Sequence, residues 1–217
     1  MDGDGIEDLV SGSWKGDIHF FRGLGKREFG AGKVIVEPGA DDADPTHEGC
    51  SVLLSSSPWA TDWDGDGDTD LVVGQFFGKV FLLSNNGTRK EPKFADPVEI
   101  LAGGESLQTW LLKAGPCVAD WDGDGLRDLV VGHERGVHWC RNTGTATAPK
   151  FAEPEAITPS AWEGYRFKPC VTDWNGDGLA DLLVGSTFSQ EKAGGSYGKA
   201  RGLVWLALRE KGTATAK

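Results

Sequence analysis

No stretch of this 217-residue chain approaches the about 20 consecutive apolar residues that a membrane-spanning helix requires, and no apolar signal-peptide core follows Met1. Membrane insertion is not expected. Basic residues are scarce as well: 22 Lys and Arg stand against 33 Asp and Glu, for a formal net charge of −11. Phosphate backbones are held by clustered cationic groups, so nucleic acid is not an expected partner. The four cysteines, Cys50, Cys117, Cys140 and Cys170, form neither a CxxC pair nor a dense framework, and their redox state stays open at this stage. No sustained 3.6-residue apolar periodicity appears, which argues against helices. A nucleophile elbow, an HExxH pair, a phosphate-cradling loop and a dinucleotide fingerprint are all missing, so no catalytic residue is assigned and the chain is read as a non-enzyme.

What is plentiful is glycine, 32 residues of it, and aspartate in a fixed relation to it. Four times the chain writes a glycine-punctuated acidic loop that runs into an apolar strand. The loops span 1–8, 62–70, 120–128 and 173–181, and the last three continue as Asp-Leu-(Val/Leu)-Val-Gly. Oxygen-bearing side chains at loop positions 1, 3, 5 and 9 converge on one point only if the backbone curls tightly, and glycines at positions 4 and 6 permit the positive φ values of such a curl. Hard oxygen donors in that number suit Ca2+, which takes six to eight of them. Position 7 contributes a backbone carbonyl, from Ile6, Asp68, Leu126 and Leu179 in turn.

The opening of each loop also matches an EF-hand, which needs a glutamate at position 12 and a helix beyond it. Position 12 is instead Val73, Val131 and Val184 in the three complete copies, and β-branched residues there favour a strand. The loops contain fifteen of the aspartates, so the acidity is largely local, and four Ca2+ would bring the formal charge from −11 to −3.

Around the loops a longer pattern repeats every 53 to 62 residues. A short strand enters the loop, a second leaves it as LVVG, and a third follows a glycine turn at Ile18–Arg22, Val80–Leu83 or Val137–Arg141. The segments Asn85-Asn-Gly to Pro-Lys-Phe94 and Asn142-Thr-Gly to Pro-Lys-Phe151 then lead to a last extended piece containing Pro97 or Pro154. Four short strands per about 55 residues form the blade of a β-propeller, and proline suits its outer edge. The fold class is all-β, a propeller of four-stranded antiparallel blades. One propeller region is expected over 1–217, with blades near 1–48, 49–106, 107–160 and 161–217. The end blades each lack one strand. A portion of a larger propeller is favoured over a complete four-bladed ring, with a homodimer closing an eight-bladed ring as the third arrangement.

Other residues are read as structural. Trp63, Trp121 and Trp174, at loop position 2, are expected to point away from the ion and pack between blades. Cys117 and Cys170 stand where Trp59 stands in the second repeat, which marks packing positions. His19 and His138 share one strand position and belong to the pleated surface, and His133-Glu134-Arg135 is read as a solvated turn. Trp110, Trp162 and Tyr165 lie in connections before a first strand, where exposed rings stack on sugars and packed rings fill an inter-blade seam.

The motif DxDGDGxxDLVVG followed by GxVxxxxNxG resembles the FG-GAP/VCBS-type repeat of integrin α-chain propellers, many secreted bacterial proteins, propeller lectins and polysaccharide lyases. The resemblance implies a calcium-stabilised propeller whose metal ligands are Asp62, Asp64, Asp66, Asp68 and Asp70; Asp120, Asp122, Asp124, Leu126 and Asp128; and Asp173, Asn175, Asp177, Leu179 and Asp181. In the first copy Asp2, Asp4 and Asp8 match, with no residue but Met1 before them. It further implies an extracellular interaction or adhesion module with a protein or glycan ligand. Its alternatives are a carbohydrate-binding propeller lectin and a fragment of a propeller polysaccharide lyase.

Overall fold

A computed structural model describes residues 1–37, 53–107, 112–188 and 200–210, and everything below concerns those residues. They contain no α-helix and no helix long and apolar enough to cross a membrane. Strands follow the repeat grammar because β-branched and aromatic residues pack well on a pleated surface. The first sheet is formed by β1 (Leu9–Gly12), β2 (Ile18–Phe21) and β5 (Lys33–Val36), with a small pair, β3 (Gly23–Gly25) and β4 (Glu28–Phe29), between the last two in sequence.

The second sheet runs in chain order through β6 (Ser57–Thr61), β7 (Asp70–Gly74), β8 (Val80–Leu83) and β9 (Val98–Glu99). After the pair β10 (Leu101–Ala102) and β11 (Glu105–Ser106), the third sheet repeats that order with β12 (Gly115–Ala119), β13 (Asp128–Gly132), β14 (Val137–Cys140) and β15 (Glu155–Ala156). The fourth consists of β16 (Tyr165–Thr172), β17 (Asp181–Phe188) and β18 (Arg201–Ala207). Every neighbouring pair within these four sheets is antiparallel. Pro97 and Pro154 immediately precede β9 and β15, the edge strands, where the missing amide costs no ladder bond.

These are propeller blades, and the way they stack follows from strand periodicity. Successive side chains of a strand face opposite sides of its sheet. Leu71 and Val73 of β7 therefore enter one apolar cluster with Ile18 of the first sheet, whereas Val72 enters another with Leu129 and Val131 of the third. Val130 turns the other way, to Phe167, Leu182 and Val184 of the fourth. Strands β7 and β13 are buried along their whole length, as expected for runs that are apolar on both faces. Full burial of each Val or Leu stabilises by about 1.5–3 kcal/mol, so these two strands hold the stack together.

Cys117 and Cys140 are buried free thiols, and burial pushes both up to about 12, so they pack as small apolar groups. Cys170 is half-buried and also free. Cys50 and Trp110 lie outside the described residues. Trp121 is buried as expected, and the half-buried Trp63 packs against Phe151 of the next sheet at 6.0 Å between ring centroids. Trp174 departs from the expectation and is 58% exposed, because no described sheet stands against that face of the fourth blade. Trp162 stacks on Trp205 at 5.9 Å, which makes it packing rather than a free ring at the rim.

The turn after β13 also differs from its reading. His133 is buried, and its Nε2 lies 2.9 Å from Nδ1 of His138 on the adjoining strand. The Arg135 amide donates to Nδ1 of His133, which assigns the His133 proton to Nε2 and makes His138 the acceptor. Burial, then the charges of His138 and Arg135, push His133 down to about 4, and burial lowers His138. Both folded values lie below the about 6.5 of an unfolded histidine, so the neutral pair's stabilisation is complete above that pH and is lost as pH falls toward 4. Thermal melts should show about 2 kcal/mol lost between pH 7 and pH 5, mostly above the carboxylate range. The H133Q variant should lack most of that slope, and an equal slope in the variant would remove the pair as its cause.

Candidate functional site

The four acidic loops sit at one end of the sheets; the last three join a first strand to a second, and the first leads into β1. All eight loop glycines adopt left-handed φ values between 77° and 94°, from Gly3 and Gly5 to Gly176 and Gly178, as the curl requires. The curl is held by the aspartates themselves. In the third loop Asp120 accepts hydrogen bonds from the amides of Gly123 and Gly125 at 2.8 and 3.0 Å, and Asp122 accepts one from Asp124 at 3.2 Å. The amide of Leu126 donates to Asp124 at 2.9 Å. The same ladder appears in the second loop, from Asp62, Asp64 and Asp66 to Gly65, Asp66, Gly67 and Asp68, and in the fourth, from Asp173, Asn175 and Asp177 to Leu179. The first loop keeps the part available to it, with Asp2 bonded to Asp4 and Asp4 to Ile6.

Position 9 does something further. Asp128 is fully buried and accepts the amide of Trp121 on one oxygen and that of Asn142 on the other, at 3.1 and 2.7 Å. Asp70 does the same for Trp63 and Asn85, both at 2.7 Å, Asp181 for Trp174 and Arg209, and Asp8 for Asp2 and Gly23. In the second, third and fourth sheets one carboxylate thus fastens the ends of the first, second and third strands. The asparagine it holds continues the chain of contacts: Asn142 accepts from Gly144 and Lys150, and Asn85 from Gly87 and Lys93. That accounts for the repeated Asn-x-Gly and Pro-Lys-Phe segments.

Carboxylates converge in two loops among the described residues. Asp62, Asp64 and Asp70 place one oxygen each within 4.8 Å of one another, and so do Asp120, Asp122 and Asp124. Asp66 and Asp128 are outside those sets, Asp68 contributes no carboxylate to them, and neither Asp2, Asp4 and Asp8 nor Asp173, Asp177 and Asp181 form such a group. In the fourth loop the Asn175 amide donates to Asp177 at 3.1 Å. Burial, and then the neighbouring carboxylates Asp64 and Asp66, push Asp70 up, with the amides of Asn85 and Trp63 opposing. Asp128 is likewise raised, first by burial.

Hard oxygens gathered on a left-handed curl, with a buried acid beside other acids, make a donor set that fits Ca2+. No soft ligand stands among them.

Two arginines, not anticipated from the loop motif, occupy the acidic clusters. Arg22 pairs through Nε with Asp2 and through Nη2 with Asp4, both at 2.8 Å. Arg141 pairs through the same two atoms with Asp122 and Asp124, at 2.8 and 3.1 Å. The Leu126 amide, and then the Arg141 guanidinium, hold the Asp124 carboxyl below the usual carboxylate range.

Residues 120–184 match the FG-GAP-like repeat. The matched segment begins at position 1 of the third loop and closes on Val184 of β17, so this FG-GAP-like repeat takes in the third and fourth acidic loops with the sheet between them. The sequence matches no curated protein. Among solved structures, the chain is similar to the Tc holotoxin pore of Photorhabdus luminescens, at 22% identity and a TM-score of 0.47 over 84% of this chain and 8% of that one. It is also similar to an Agrocybe aegerita lectin described as recognising non-reducing terminal N-acetylglucosamine, at 20% identity and a TM-score of 0.48. That match covers 93% of this chain and 54% of the lectin, so the chain spans about half the lectin's length and a small part of the toxin's.

Proposed function

We propose that the chain is a calcium-stabilised β-propeller scaffold that acts outside the cell as an interaction module, with no active site of its own. The observation that carries this is the convergence of Asp62, Asp64 and Asp70 on a curl held by Gly65 and Gly67 at φ 81° and 94°. Asp62, Asp64, Asp66 and Asp70, Asp120, Asp122, Asp124 and Asp128, and Asp173, Asn175, Asp177 and Asp181 would hold the ions, with the carbonyls of Asp68, Leu126 and Leu179. Bound there, Ca2+ supplies charge neutralisation and a tie between the first two strands of each blade. The millimolar calcium outside cells suits exposed sites of this kind.

An ion that binds only the folded chain adds about 2.7 kcal/mol per site at a hundred times its Kd, a rise of roughly 5–10 °C in melting temperature for a chain of this size. Calcium should therefore raise the melting temperature and a chelator reverse it, while D177A should lose one bound ion per chain. Melting curves that coincide with and without calcium would refute the structural role.

Carbohydrate binding is a second reading, favoured by a cleft of about 640 Å3 between the second and third blades. It is lined by Trp63, Val98, Leu101, Pro149 and Phe151, and a similar cleft of about 370 Å3 lies between the first and second blades at Ile35, Pro92 and Phe94. Apolar walls with a few polar groups are usual for small-ligand sites. A glycan array with a hit abolished by W63A would select this reading.

A further inference from the structure

The four loops are not equivalent, and the difference lies one strand away from them. Arg22 follows Phe21, the residue paired with Leu9, and Arg141 follows Cys140, the residue paired with Leu129. The corresponding residues, one beyond the partners of Leu71 and Leu182, are Ser84 and Leu208. Register alone therefore delivers a guanidinium over positions 3 and 5 of the first and third loops and none over the second and fourth. The two arginines use identical atoms on equivalent carboxylates, although the loops lie in different blades. Each guanidinium bridges two carboxylates, hydrogen-bonded to the one at position 5 and ion-paired with the one at position 3.

Other arginines near the loops do not play this part. Arg89 and Arg127 donate to the main-chain carbonyls of Gly67 and Asp62 in the second loop, and Arg209 to that of Trp121, so none of them takes a loop carboxylate.

We propose that Arg22 and Arg141 are built-in counter-cations that compete with a divalent ion for positions 3 and 5, so that the first and third loops bind it more weakly than their own carboxylates would allow. The inference rests on the calcium reading given above. An ion entering the third loop must either displace the guanidinium from Asp122 and Asp124 or share them with a fixed positive charge a few ångströms away, and both weaken it. In exchange, the first and third loops keep part of their charge balanced when calcium is scarce. The Arg22 and Arg141 side chains are 57% and 50% exposed, so they can swing aside without disturbing the core.

The test is a calorimetric calcium titration of the full chain and of two reciprocal variants, with the fold of each checked by circular dichroism. R141S, which gives the third loop the residue found at the second, should bind one ion per chain roughly tenfold tighter than the unaltered chain does, as removal of one adjacent charge implies. S84R, which brings the arginine to the second loop, should weaken one site by a similar factor. Calcium binding with the same set of affinities in all three proteins would overturn the competition and leave the calcium reading intact. Absence of calcium binding in all three would overturn both.

Discussion

Replacing Asp128 by alanine should destabilise the protein by about 4 kcal/mol, with or without calcium, because two buried amides each lose a charged acceptor worth about 1.5–3 kcal/mol. Those amides, of Trp121 and Asn142, lie where the first and third strands of the blade meet the loop, and the fully buried carboxylate has no water at hand to take its place. Asp124 belongs to the same loop but is exposed, and it accepts only the local amide of Leu126 and the Arg141 guanidinium. Alanine at Asp124 should leave stability in chelator nearly unchanged, in line with exposed ion pairs, and show its main effect only when calcium is present. Chemical denaturation of both variants in calcium and in chelator separates the two roles of the acidic residues. Equal costs for the two in chelator would show that position 9 is not the strand fastener described here.

The second large effect concerns the glycine that closes each LVVG strand. A Cβ placed on Gly132 would overlap the carbonyl oxygen of Phe167 and the Pro169 ring, and one on Gly74 would overlap the Ala114 carbonyl and the Pro116 ring. Main chain meets main chain at these points, so no side chain can swing aside to make room. The innermost strand of each following blade is seated against this glycine, and a single methyl group there would push the blades apart. G132A should cost about 3 kcal/mol or more, the upper end of overpacking, and lower the melting temperature by roughly 10 °C. Gly185 is the matching residue of the last described sheet, and nothing stands within 4 Å of its Cβ position. G185A should accordingly be close to neutral, which makes it an internal control. Similar losses for G132A and G185A would mean that blade-to-blade contact is not what the glycine serves.

Much of this architecture was legible in the sequence because it is encoded locally and written repeatedly. The loop glycines announce their positive φ through spacing alone, and Leu-Val-Val without polar alternation announces a strand covered on both faces. Pro97 and Pro154 mark the edges because a missing amide is tolerated only there. What escaped reading depends on contacts between elements. The pairing of His133 with His138 requires knowing that both flank one tight hairpin turn, although two histidines five residues apart around Glu-Arg-Gly were a usable signal.

The exposure of Trp174 escaped for a related reason. Its sequence neighbourhood is that of Trp121, and only the presence or absence of a neighbouring sheet distinguishes the two. Arg22 and Arg141 occupy one position of the repeat, so laying the repeats against each other would have exposed them. The acidic motif drew attention to the loop and away from the strand that faces it. The dual duty of Asp128, fastening strands and offering an oxygen at position 9, was likewise hidden, because spacing reveals a ligand pattern but not the amides that share it.

A crystal structure obtained at saturating calcium tests the account most directly. It should show a single strong peak in the second loop within about 2.3–2.6 Å of oxygens from Asp62, Asp64, Asp66 and Asp70 and of the Asp68 carbonyl, with anomalous signal appropriate to calcium. Density for water alone at that point, with the four carboxylates turned apart, would contradict it.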